Sequence, residues 1–259
     1  TAGPSVLSDT RRGIQFILVG MIAISVNDMS IKLLSGDYPL HQMVFVRSLI
    51  GLCFTFCFLQ MEGGLRLLRT ATPGLHALRA LLIVFANMTF FAALAVLPLA
   101  DATALFFVAP LLITLIAVPV LGERVGPRRI GAILVGFAGV LAMFLRPGDP
   151  AETAPPAWAL ALPVVAAAAY AGMQVLTRKL GVTSRASAMA IYIQSSFLIV
   201  SACFFVVAGD GRFAVLTDNP SLTFLLRAWS WPEAGDWPVF VLMGLASGTI
   251  GYCLSSGRL

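Results

Sequence analysis

Charged and amide side chains are scarce in the apolar parts of this chain, and those present are spaced so that they can meet. Asp28 is the one carboxylate set well inside an apolar stretch, where an unpaired charge costs at least about 2.5 kcal/mol on insertion scales. Lys32 follows it by four positions, on the same helix face. The first apolar stretch runs outward and the second returns, so Asp28 and Arg47 lie at similar depth. The spacing predicts an Asp28–Arg47 pair with Lys32 nearby. Two chemistries follow: a buried ion pair that pins the first hairpin, or a proton-sensitive gate or anchor for a zwitterion. Nearer mid-membrane come Asn27, Asn87, Phe106 and Phe107, with Tyr170, Gln174, Ser247 and Tyr252 from the later stretches. Amides and aromatics converging on a cavity suit a small polar or amphiphilic solute, hydrogen-bonded at its ends and stacked in its middle. The plainer account has each amide holding helices together, for about 0.6 kcal/mol apiece.

Positioning these groups falls to the stretch Leu97–Leu121, which starts at a tight Pro98 turn and stops at Glu123, Arg124, Arg128 and Arg129. Pro110 sits at mid-depth and marks a hinge. Thr103, Phe106, Phe107, Pro110 and Thr114 recur every three or four residues and share one face. Lipid has no use for Thr or a disturbed backbone, so that face should look into protein or a cavity. Glu123 is expected to answer one of the neighbouring arginines.

Composition narrows the function classes. Of 259 residues, 59% are hydrophobic and only 11% charged, against about 25% charged in soluble domains, and the mean hydropathy is +0.92. This is the make-up of an all-α polytopic membrane protein with the lipid bilayer as its surroundings. The net charge of +5 is spread over short connections rather than gathered in a stripe, which excludes a nucleic-acid partner. No phosphate-cradling loop, serine nucleophile, zinc spacing or cofactor fingerprint occurs, so neither an enzyme nor a cofactor or metal site is expected. His41 and His76 sit at membrane edges. Cys53 and Cys57 read as small buried apolar residues. Arg11 and Arg12 precede an apolar stretch too long for a cleavable signal.

Eight stretches approach the roughly 20 residues a crossing needs: 13–34, 40–61, 75–97, 99–121, 128–146, 157–177, 186–208 and 238–257. The long connection 209–237 carries Trp229, Trp231 and Trp237 and reads as an interfacial segment with a short surface helix. Arg66, Arg69, Arg79, Arg124, Arg128, Arg129, Arg178, Lys179 and Arg185 fall on the side of Arg11 and Arg12, which puts the N-terminus in the cytoplasm. The tryptophans fall on the other side. A shift of 147 sets Asn27 on Gln174, Lys32-Leu33 on Lys179-Leu180, and Phe45-Val46-Arg47-Ser48 on Tyr192-Ile193-Gln194-Ser195. After the long connection the shift becomes about 160, pairing the eighth stretch with the third. An odd number of crossings separates the copies, so they enter the membrane from opposite sides, the plan of many secondary transporters. The division is 1–147 for a first five-helix repeat and 148–259 for an inverted second one, truncated after its third helix. Gly131, Gly136 and Gly139, and the run Ala166–Ala169, suit close helix packing in the core, with a homo-oligomer contact as the alternative.

At P-L-A-D-A-T-A-L-F-F-V-A-P (98–110), L-G-E-R-V (121–125), F-V-R-S (45–48) and the D-x-x-x-K of Asp28 and Lys32, the chain resembles the drug/metabolite transporter superfamily, EamA-domain type. The resemblance implies ten crossings in two inverted five-helix repeats, of which eight are present here. It also implies carriage of small metabolites across the bacterial inner membrane. Some such proteins export amino acids; others take up riboflavin or S-adenosylmethionine. Their cavity lining carries over, by helix and face, to Asn27, Asn87, Phe107, Tyr170, Gln174 and Tyr252. The expectation is amino-acid export by alternating access, with vitamin or cofactor uptake as the alternative. A non-transporting scaffold or binding subunit is a further one.

Overall fold

The computed structural model describes residues 4–69, 72–122, 126–144, 155–180 and 186–256. They form ten α-helices: α1 Pro4–Leu34, α2 Leu40–Glu62, α3 Pro73–Leu94, α4 Leu99–Phe106, α5 Ala109–Leu121, α6 Pro127–Phe144, α7 Ala157–Leu180, α8 Ala186–Ala208, α9 Pro220–Leu226 and α10 Trp237–Ser256. Local sequence explains the ends. Pro73, Pro110 and Pro220 occupy first turns, where their missing N–H costs nothing. The Asn219 side chain caps α9 by accepting from the Ser221 N–H at 3.0 Å. Gly122, at φ 70°, ends α5 in the left-handed region that favours glycine. All eight expected stretches are helical, and α9 is the short helix expected in the long connection. Six spans among the described residues are long and apolar enough to cross a membrane; Ile130–Ala142 and Trp237–Gly251 are shorter apolar helices.

The fourth stretch is continuous in sequence but broken in space. Phe107 and Val108 form a tight turn between α4 and α5, with the Val108 N–H bonded to Leu105 O at 3.3 Å and Leu111 N to Val108 O at 3.0 Å. Pro110 is the cause. Its ring disfavours the carbonyl of Phe106 four residues back, so the break falls ahead of the proline rather than on it. The polar face of this stretch is also not uniformly turned to protein. Phe107 is 66% exposed and Pro110 is exposed, while Phe106 packs inward. Thr103 and Thr114 need no partner from another helix, because each hydroxyl bonds back to its own helix, at Leu99 O (2.7 Å) and Pro110 O (3.0 Å).

The bundle core lies among α2, α3, α7, α8 and α10, around Met43, Phe91, Leu94, Leu97, Phe197, Phe240 and Met243. α3 packs against α7, α1 against α10, and α2 against α8. One end is tied by the 209–236 connection. Tyr38, between α1 and α2, donates to Asp236 Oδ2 (2.6 Å) and accepts from Glu233 N (3.0 Å). The Gln42 amide bonds both ways with the Ser230 main chain, at 2.6 and 3.1 Å. The Asp236 carboxylate holds the Tyr38 hydroxyl above its ordinary pKa range. Ser221 Oγ donates to Ala92 O (2.6 Å), and Arg227 to Gly36 O. At the opposite end, Ser187 Oγ donates to Glu62 Oε2 (2.7 Å), Tyr192 to Leu68 O, and Arg79 Nε to Thr177 Oγ1 (2.6 Å). α1 therefore finishes at the first end and α7 at the second.

Two packing expectations are corrected. Cys53 and Cys57 are exposed, not buried: they lie on the outer side of α2, away from the core side that holds Ser48, Gly51 and Thr55. Among the described residues, Gly136 of α6 meets Leu111 of α5, whereas none stands close to Gly131 or Gly139. On α7, Ala166, Ala167 and Ala169 are buried as expected and Ala168 is exposed. Glu123 and Arg124 lie outside the described residues, and so do the side chains of Arg129 and Tyr252.

Candidate functional site

Arg47 is the centre of the polar interior. It projects from α2 and is 3% exposed, yet among the described residues it forms no ion pair with a carboxylate. Its Nη1 donates to Asn27 Oδ1 of α1 and its Nη2 to Asn87 Oδ1 of α3, each at 2.9 Å. The guanidinium carbon lies 5.6 Å from the Phe91 ring centroid and 5.0 Å from that of Phe197 on α8. Rings at this distance attract a desolvated cation by about 2 kcal/mol. Four helices thus converge on one charge.

The expected direct Asp28–Arg47 pair is not formed; no ion pair joins them among the described residues. Asn27 stands between them, donating its Nδ2 to Asp28 Oδ1 at 3.1 Å while accepting from Arg47. Successive residues on a helix point about 100° apart, so Asn27 faces α2 and α3 while Asp28 sits at the half-buried edge of α1. Lys32 also departs from its expected company. Its ammonium donates to Leu94 O and, at 3.3 Å, to Leu97 O. Leu94 ends α3, where the helix dipole favours a cation, and Leu97 lies in the turn beyond it. Lys32 secures the turn into α4.

From Arg47 a row of rings leads across the bundle. Phe91 meets Phe90 at 5.6 Å, Phe90 meets Phe106 at 5.2 Å, and Phe106 meets Tyr170 at 5.4 Å. Gln174 Nε2 donates to the Tyr170 hydroxyl at 2.6 Å. A guanidinium and an amide therefore lie at the two ends of one aromatic wall. Ser247 belongs elsewhere: its hydroxyl accepts from Gln194 Nε2 at 3.0 Å, in a second buried cluster between α8 and α10. Of the expected residues, the structure joins Asn27, Asn87 and Arg47 in one group and Phe106, Tyr170 and Gln174 in another. Phe107 is outside both.

Four participants carry little or no signal in the sequence. Gln194 fell on Arg47 in the repeat alignment, which was its one signal. Arg79 reads as a cytoplasmic-side charge, yet it is 2% exposed and bridges α3 to Thr177 of α7 and Met189 of α8. Gln42 and Tyr38 sit at helix ends, where polar residues are ordinary, and nothing local marks them as clasps for a segment nearly 200 residues away.

A family model described as the EamA-like transporter family matches residues 11–145. The chain is 30% identical over 189 residues to a riboflavin transporter of Rhizobium johnstonii, covering 73% of this chain and 60% of that protein. It is 27% identical over 238 residues to an S-adenosylmethionine uptake transporter of Rickettsia prowazekii, covering 86% and 76%. A pseudopaline exporter of Pseudomonas aeruginosa is 30% identical over 142 residues, covering 55% and 49%. The chain thus spans less than two thirds of the first of these relatives. A crystal structure superposes with a TM-score of 0.64 over 96% of this chain and 78% of its own, at 21% identity, a likeness of fold alone.

Proposed function

The chain belongs to the EamA-like transporter family of the drug/metabolite transporter superfamily, and from that membership we propose that it carries a small metabolite across the bacterial inner membrane by alternating access. It is a multi-pass membrane protein, and its relatives are named as transporters, not enzymes. The proposed architecture is two inverted repeats, 1–147 and 148–259, contributing eight crossings to a ten-helix plan. The packing supports this. Exchanging α1 with α7 and α3 with α10 turns the α1–α10 contact into the α3–α7 contact and returns α2–α8 to itself. α1 and α7 finish at opposite ends of the bundle, as inverted copies require. The arginines Arg66 and Arg69 lie at one end and Trp229, Trp231 and Trp237 at the other, which supports a cytoplasmic N-terminus.

The observation that carries the transport reading is the buried Arg47, held by neutral amides at the head of an aromatic row ending in Tyr170 and Gln174. A scaffold has no need of this lining. We assign as cargo small metabolites with a polar head and an apolar or flat body, amino acids for export first. The hinge is the Phe107–Val108 turn enforced by Pro110. The second reading is uptake of riboflavin or S-adenosylmethionine, which two relatives are named for and which the row Phe90–Phe106–Tyr170 would stack. Proteoliposomes with labelled amino acids, riboflavin and S-adenosylmethionine test both. Saturable flux of one class assigns the cargo, and absence of flux with all three removes the reading.

A further inference from the structure

Asn27 keeps an anion and a cation apart. One planar amide turns its donor to Asp28 Oδ1 (3.1 Å) and its acceptor to Arg47 Nη1 (2.9 Å), so neither charge is consumed by the other. Arg47 directs its two Nη groups at Asn27 and Asn87, and its Nε is buried without a partner. An unpartnered N–H on a buried guanidinium has a strong preference for an acceptor. Asp28 accepts at Oδ1 alone among the described residues, leaving Oδ2 without a bond. Phe91 and Phe197 cover the guanidinium. Lys32 is turned away to the α3 carbonyls and does not compete for Asp28. Were this group only a pin for the first hairpin, direct two-point pairing of carboxylate and guanidinium would serve better.

We propose that Asp28, Asn27 and Arg47 form a clasp for a zwitterionic head, with the solute's carboxylate on the Arg47 Nε edge and its ammonium on Asp28. Asn27 is the spacer that sets the charge separation. The proposal rests on the transporter reading and narrows its cargo to molecules with an amino-acid-type head.

The test measures binding to the full chain in detergent by calorimetry and thermal shift. The probes are L-phenylalanine, its methyl ester, which lacks the carboxylate, 3-phenylpropionate, which lacks the amine, and riboflavin, which has no such head. L-phenylalanine is expected to bind saturably, with each analogue about tenfold weaker or more. Asp28→Asn should level L-phenylalanine with 3-phenylpropionate while keeping discrimination against the ester. Asn27→Ala lets Asp28 and Arg47 close on each other, so zwitterion binding should fall while the melting temperature holds. Equal binding of the three phenyl probes, no saturable binding of L-phenylalanine, or an unchanged preference in folded Asp28→Asn overturns the clasp. Riboflavin flux in proteoliposomes alongside any of these results leaves the carrier standing and the clasp refuted. Loss of all flux refutes the carrier itself.

Discussion

Two buried polar clusters lie in the bundle, and they differ in charge. In the first half Arg47 of α2 donates to Asn87 of α3. In the second, Gln194 of α8 donates to Ser247 of α10. The shift of 147 carries Arg47 onto Gln194, and the shift of 160 carries Asn87 onto Ser247. The bond is kept while the ion is not. A neutral amide–hydroxyl pair inside a membrane bundle joins helices and asks little of its surroundings. A guanidinium in the same place needs acceptors, rings and a counter-charge within reach, and the first half supplies all three. The charged cluster is therefore the specialised one, and the neutral one shows what packing alone requires.

The sharpest way to break the comparison is to remove the ion. Arg47→Ala deletes two hydrogen bonds and two ring contacts and leaves Asp28 without its neighbouring cation, at a cost of about 3 kcal/mol or more. Adding Asp28→Asn should restore part of that loss, since the single change leaves an anion uncompensated. Melting curves of the parent and the two variants in detergent read the difference; equal losses would mean that the two charges do not feel each other across Asn27. The next largest effect attacks the neutral cluster by crowding. A Cβ at Gly51 would stand 2.7 Å from Gln194 Nε2 and 3.3 Å from the main-chain nitrogen of Gly248. Gly51→Ala should therefore cost about 1 kcal/mol, by pushing the Gln194 amide off Ser247 and pressing on the α10 main chain. An unchanged melting temperature would show this crossing to be looser than drawn.

Much of this was legible before any coordinates. Apolar length marked the stretches that form helices. Asn27, Asn87 and Arg47 were singled out because amides and charges inside apolar runs are expensive and so must meet something. Which one they meet was beyond reach. A residue step of 100° decides that Asn27, rather than Asp28, faces Arg47, and spacing alone could not choose between neighbours when α1 has no polar stripe to fix its rotation. The break ahead of Pro110 was signalled by the proline, but not its position at Phe107. The ties between Tyr38 and Asp236, or Gln42 and Ser230, carry no sequence signal, because connection residues owe their partners to the docking of distant helices.

The finest comparison pairs the acceptors. Asn87→Ala strands Nη2 of a buried cation, whereas Ser247→Ala leaves a neutral amide short of one hydroxyl partner. Hydrogen bonds to charged groups are worth about 1.5 kcal/mol or more, against about 0.6 kcal/mol for a neutral pair between membrane helices. Asn87→Ala should therefore lower stability roughly two to three times as much as Ser247→Ala. Exchanging the roles tests the cause. In an Arg47→Gln background the first cluster becomes a copy of the second, so the penalty for Asn87→Ala should shrink to that of Ser247→Ala. A penalty that stays large would trace Asn87 to the packing of α3 rather than to the guanidinium. The difference between the halves would then lie in shape, and charge would be incidental to it.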